Sequence, residues 1–357
     1  MLPLILFLAC PKPVAETGPP TPGPSPILPA PYAPVYTAAP GVAADPLVNW
    51  VAQSHRYDET LSGAAGALAL MVPSTGELDG AAVHWALIQS GWPYGTAKAQ
   101  VFPAKRDQIP AEVSAAIQKV PKSTPIGLAR ARQGDQETWV LLEASVTAEV
   151  RPFLREVGLG DSLTLRPTAS GWSALEQRAL PPQGPARTGS VQYDAPGEWL
   201  VELWGTKDGA RQRLVQVPVY VGEVTPEDGP FLNVDASKPE GDLAIRAAER
   251  GIAELRGVLD APPLEMDPVL LSLAGRHSKQ LAMGEADAQA ILQTTSEAGL
   301  TDAALMVCTG ETVQGCLDHL FWSVSDREVL RNPSQTLLGV GADWTAGGLQ
   351  IVVLVAR

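Results

Sequence analysis

Residues 125–144, PIGLARARQGDQETWVLLEA, align without a gap on residues 337–356, LLGVGADWTAGGLQIVVLVA. Ile126 falls on Leu338, Gly127 on Gly339, and Trp139-Val140-Leu141-Leu142 on Ile351-Val352-Val353-Leu354. Upstream, Asp58, Leu61 and Ala65 match Asp267, Leu270 and Ala274, and Gly91 matches Gly299. The order helix, helix, loop, helix, strand, strand is common to both stretches. A chain that carries one supersecondary unit twice must build the same α/β body at each end and fit the remaining residues between the copies.

The local patterns place the pieces. Residues 45–71 have helical apolar spacing, 77–92 continue it and stop at Gly91, and 110–120 predict a third helix. TPIGLARA and ETWVLLEASV read as strands joined by RQGDQ. Residues 151–222 change to short alternating runs with Gly and Pro between them, and Asp208-Gly209 predicts a tight hairpin. Helical periodicity returns at 240–258, 267–300 and 312–324, and LLGVGADW and LQIVVLVA close the chain as strands. The predicted divisions are 1–10 a signal-like segment, 11–44 a Pro-rich linker, 45–150 an α/β domain, 151–222 an immunoglobulin-like β domain, 223–239 a linker and 240–357 a second α/β domain.

Charge and cysteines narrow the function. Net charge is −13 at pH 7, and no basic cluster is present to meet a phosphate backbone, which excludes nucleic acid as a partner. MLPLILFLAC is a short apolar run ending Leu-Ala-Cys, followed by a Pro-rich tract. It resembles a bacterial lipobox that would acylate Cys10 and tether the protein, although no Lys or Arg precedes the run. Plain secretion and a cytoplasmic protein with an apolar start are the alternatives. The run is too short to span a bilayer as a helix. Cys308 and Cys316 form a disulfide if the protein is exported and are buried free thiols if it is not. Their spacing is not that of a metal site.

Residues 240–357 resemble the CAP superfamily, the SCP-like cysteine-rich secretory, antigen 5 and pathogenesis-related proteins. Bacterial members carry a segment like GHRANILNPNYTHVGVG; here it reads SDREVLRNPSQTLLGVG, with Arg327, Asn332, Pro333, Thr336, Gly339, Val340 and Gly341 in register. Leu330 stands for an Ile, and Asp267 and Ala274 fall on typical upstream positions. The resemblance implies an α+β fold: a C-terminal CAP-like α–β–α sandwich, a central immunoglobulin-like β-sandwich and a diverged N-terminal copy of the first. It also implies a groove lined by two His and two Glu. This sequence departs from that pattern at each position. Asp326 replaces the His before the Arg, Leu305-Met306-Val307 are apolar where a Glu belongs, and MGEADAQ has no His.

No catalytic residue, metal site or cofactor is therefore expected. The candidate groove residues are His277, Glu311, Asp326 and Arg327. His277 is a groove residue or a packed helix residue, and His319 shares a helix face with Trp322 or packs in the core. Asp326 either pairs with Arg327 or caps a helix, with Ser325 and Glu328 at capping-box spacing. Arg327 is expected to pair with a carboxylate. His84 and His55 read as structural. The resemblance implies a non-catalytic binding protein of the bacterial cell envelope, lipid-anchored at the outer membrane or secreted. Its partner would be an apolar ligand, a cell-wall fragment or another protein. The alternatives are a hydrolase built on Asp326, His277 and Glu311, and an architectural spacer.

Overall fold

The computed structural model describes residues 35–75, 78–95, 97–105, 108–222, 240–285, 287–345 and 348–357. Cys10, the apolar start and the linker at 223–239 lie outside the described residues. The chain is α+β and carries two four-stranded sheets of like topology, one toward each end, with a mostly antiparallel β region between them.

The first unit is entered through β1 (Val35–Tyr36), which pairs with a later strand. Packing thus begins ten residues before the predicted end of the linker, because the Tyr36 ring is fully buried and its hydroxyl donates to the Pro218 carbonyl at 2.8 Å. The predicted helix at 45–71 is two helices. Asp45 caps α1 (Pro46–Ala52), the chain passes through β2 (Arg56–Tyr57), and Asp58 starts α2 (Glu59–Thr75) by accepting from the Thr60 and Leu61 amides. The break has a physical cause: the Asp58 amide donates to the Ile126 carbonyl, so the chain must join the sheet before it can coil again. Then come α3 (Gly80–Ser90), which ends at Gly91 in the left-handed region (φ 86°), β3 (Ala97–Lys105), α4 (Ala111–Lys119), β4 (Pro125–Gln133) and β5 (Gln136–Ala144). Strand order is β2-β4-β5-β3.

The central region holds β6 (Phe153–Leu154), β7 (Glu156–Val157), β8 (Ser162–Leu163), β9 (Ser173–Leu180), β10 (Arg187–Thr188), β11 (Val191–Gln192), β12 (Gly197–Lys207) and β13 (Ala210–Val221). The predicted hairpin is present: Asp208 and Gly209, at φ 50° and 79°, turn β12 into β13. The main sheet runs β10-β9-β12-β13-β7, with β7 parallel to β13. The separate sheet β11-β8 has two strands only, a thinner second layer than an immunoglobulin-like sandwich has.

The second unit repeats the first. It comprises α5 (Asp242–Val258), β14 (Glu265–Met266), α6 (Pro268–Ala282), α7 (Ala288–Glu297), β15 (Ala304–Gly310), α8 (Val313–Trp322), α9 (Val324–Leu330), β16 (Leu337–Thr345) and β17 (Gly348–Ala356). Strand order is β14-β16-β17-β15, the topology of the first sheet. Along β17, Ile351, Val353 and Val355 pack with α5 and α8, while Val352, Leu354 and Ala356 pack with α6. Both faces are buried, which makes an α–β–α sandwich and explains why the strand reads as a continuous apolar run. In the first unit Leu141 and Trp139 face α1 and α4, and Val140, Leu142 and Ala144 face α2 and α3. The outer strands β3 and β15 occupy what the sequence pattern left as a loop in each copy.

The matched residues do the same work in both copies. Asp267 accepts from the Val269 and Leu270 amides and donates its own amide to Leu338, as Asp58 does with Thr60, Leu61 and Ile126. Gly127 and Gly339 lie where a helix crosses its sheet backbone to backbone. A Cβ at Gly127 would fall 2.4 Å from the Leu61 carbonyl carbon, and one at Gly339 would fall 2.2 Å from that of Leu270. Gly339→Ala must push α6 off the sheet and is expected to destabilise the protein by about 2–3 kcal/mol. Gly275→Ala, at a helical glycine whose Cβ meets open space, should instead be neutral or stabilising by up to about 1 kcal/mol. Chemical denaturation of the two variants checks the pair, and equal midpoints would contradict the crossing.

Candidate functional site

The segment from Trp322 to Arg331, which carries Asp326 and Arg327, faces the central sheet. The reason lies in the alternation of β12 and β13. Trp199, Val201 and Leu203 point into the β region's own core, whereas Leu200 packs with the second unit's core and Glu202 is 1% exposed on that same face. Cross-strand from Glu202 is Gln216. One Glu202 oxygen accepts from the Val324 amide at 3.1 Å and from Gln216 Nε2 at 3.1 Å, and the other accepts from Trp204 Nε1 at 2.9 Å. Gln216 also donates to the Trp322 carbonyl. Arg213 lies 3.6 Å from Glu202. The carboxylate is thus buried with several donors and a nearby cation, the condition under which a buried charge is tolerated.

The contact continues along α9. Arg327 finds its carboxylate in Glu198 of β12, at 2.8 Å, and its guanidinium lies 4.3 Å from the Phe321 ring centre. Glu328 accepts from the Ala186 amide at 2.9 Å, and Arg331 donates to the carbonyls of Pro181, Pro182 and Gly184. The helix cap is Ser323. It is not Asp326, and the Ser325–Glu328 box is not formed, because Glu328 is committed to Ala186. Asp326 sits at the third helical position, donating its amide to Ser323 Oγ at 3.4 Å. Its carboxyl pKa is pushed up to about 6, first by burial and then by Glu202, against the Ser323 hydroxyl, Arg213 and Arg178, which favour the charged form.

The remaining candidates are scattered. His277 is buried on α6 with Nδ1 2.8 Å from Gln280 Oε1, so it packs under the helix. Glu311 is exposed just before α8. No hydrogen bond or ion pair joins any two of His277, Glu311 and Asp326 among the described residues. Trp322 is buried, while His319 is exposed, so the two do not share one environment. Cys308 and Cys316 are buried free thiols, and the bridge expected on export is not formed. Burial pushes the Cys308 thiol well above its ordinary value, and a hydrogen bond with Cys316 adds to this.

The third contact was not anticipated. His84 of α3 approaches Asp318 of α8, Nδ1 to Oδ2 at 2.7 Å, and the other Asp318 oxygen accepts from Trp322 Nε1 at 3.0 Å. Trp85 stacks on Trp322 with ring centres 6.2 Å apart, and Thr312 donates to Asp79 at 3.1 Å. The two repeats therefore meet directly through α3 and α8. The sequence did hold a signal for the β contact, in Glu202 and Gln216 breaking otherwise apolar strands. It held none for His84 with Asp318, which are 234 positions apart.

No family model matches the sequence, and no curated protein matches it either. Among solved structures the chain is similar to an outer surface protein from Borrelia burgdorferi (20% identity, 34% of this chain and 98% of that one, TM-score 0.30). It is also similar to an extracellular protein containing an SCP domain from Bacillus anthracis (16% identity, 48% of this chain and 64% of that one, TM-score 0.29). A third is a cysteine-rich secretory protein from Staphylococcus aureus (11% identity, 44% of this chain and 55% of that one, TM-score 0.28). Less than two thirds of the length of each of the latter two is covered.

Two outcomes are expected here. Unfolded, Asp326 releases its proton near 3.8; folded, it holds it to about 6. The native state thus binds more protons in that window, and this group lowers stability as pH rises from about 4 to about 6. Thermal melts of Asp326→Asn across that range should gain on the native protein by a few degrees, and parallel profiles would contradict the burial. For the cysteines, Ellman titration of protein with Cys10 replaced by Ser and no reductant should find no reactive thiol in the native state and both in guanidinium. A need for reductant would show a bridge.

Proposed function

We propose that this chain is a non-catalytic, extracellular protein of the CAP type, attached to the bacterial envelope through Cys10, that serves as a rigid two-unit scaffold for binding. The observation that carries the reading is the cover over Asp326. Where the related fold opens a polar groove, side chains of β12 and β13 fill the space and bond to the segment that would line it. Around Asp326 and Arg327 the chain's own side chains occupy the space a substrate would need. Two like units joined through both the sheet and the α3–α8 contact form one stiff body, and recognition of an envelope or extracellular partner falls to the surfaces that remain. Among the described residues no helix is long and apolar enough to cross a membrane.

Glu202→Ala removes the central acceptor and strands the Val324, Gln216 and Trp204 donors. The expected cost is about 3–5 kcal/mol. In scanning calorimetry the native protein should unfold in one transition and Glu202→Ala in more than one, as the second unit comes free of the sheet. Separate transitions already present in the native protein would overturn the rigid-scaffold reading. A hydrolytic activity abolished by Asp326→Asn would overturn the non-catalytic one.

A further inference from the structure

The seam between the two repeats contains a cavity of about 290 Å³ that lies apart from the covered segment. Its lining is chemically uneven. Leu78, Val83 and Ala97 supply apolar wall, Lys98 and Glu311 bring opposite charges, and His84 brings a side chain that is 10% exposed. Lys98 and Glu311 are both exposed, and no ion pair joins them. The His84 ring is fixed at one end only. Nδ1 meets the Asp318 carboxylate, which accepts when ionised, so Nδ1 carries a proton and points away from any ligand. Nε2 is buried and has no hydrogen-bond partner in the protein. A buried imidazole nitrogen left without a partner is costly unless something else satisfies it.

We infer that this cavity binds a small zwitterion, a free α-amino acid with an apolar side chain. The arrangement supplies the Glu311 carboxylate as acceptor for an ammonium group, beside a wall that includes the His84 ring. It supplies one cation, Lys98, for a carboxylate. The apolar wall takes the side chain, and the volume is at the small end of ligand cavities, right for a single amino acid. The site needs both repeats, since His84, Lys98 and the wall come from the first and Glu311 and Asp318 from the second. It shares the α3–α8 contact with the scaffold reading, but Lys98 and Glu311 take no part in that contact, so the binding test and the calorimetry can fail separately.

Saturation-transfer NMR with L-leucine as the probe tests it. The full chain should transfer saturation to L-leucine at low millimolar concentration, and less to N-acetyl-leucine and to leucinamide, which lack the ammonium and the carboxylate. Lys98→Gln and Glu311→Gln alter exposed side chains and leave the fold intact. Each should weaken L-leucine about tenfold, the loss expected for one charge-assisted contact. Leucinamide should be insensitive to Lys98→Gln, and N-acetyl-leucine to Glu311→Gln. No transfer to L-leucine, equal transfer to all three compounds, or affinities unchanged in both variants would overturn the proposal, whatever calorimetry shows for Glu202.

Discussion

The β12–β13 hairpin is buried on both faces, and the arrangement of the whole chain depends on that. One face closes the core of the central region; the other lies against the second repeat, with Leu200 in that unit's core and Glu202 hydrogen-bonded to the Val324 amide. A hairpin in water would leave Glu202 and Gln216 as ordinary surface residues. Under the second unit they become the only kind of polar group that can be buried there, one whose bonds are all made within the contact. Apolar burial supplies the bulk of the adhesion, and the Glu202 network fixes its register.

The two end units share one sheet topology, with the β region between them. Each repeat closes its own α–β–α sandwich through the same devices: an aspartate that caps a helix and ties it to the sheet, and a glycine where that helix crosses a strand. What differs is the stretch between the outer strand and the last two strands. The first repeat has α4 alone there; the second has α8 and α9, and it is these that the hairpin and α3 contact. The longer insertion is thus the part that the rest of the chain is built around.

Much of this was legible in the residues. The pairs Asp58 and Asp267, Gly127 and Gly339, and Gly91 and Gly299 identify the repeat because capping and close approach restrict residue type at single positions. The hairpin followed from Asp208-Gly209, which must adopt positive φ. The split of 45–71 into two helices was hidden because the apolar spacing runs on through Arg56-Tyr57, and only the sheet bond of Asp58 breaks it. The outer strands, AKAQVFPAK and ALMVCTG, were missed because β3 is only half-buried and does not alternate cleanly. The site was less legible than the fold. The contacts on Asp326 and Arg327 come from residues more than a hundred positions away, and distance in sequence carries no pattern for such contacts.

The central claim is that the start of the segment from Ser323 to Arg331 is held against the hairpin, with Ser323 and Val324 buried beneath it. Native-state hydrogen exchange read by mass spectrometry tests it most directly. The Val324 amide, held by Glu202, should exchange only as slowly as the β12–β13 core itself, since both must open together. Exchange of that amide on the fast scale of an exposed helix start, while β12 and β13 remain protected, would show an open groove and contradict the account.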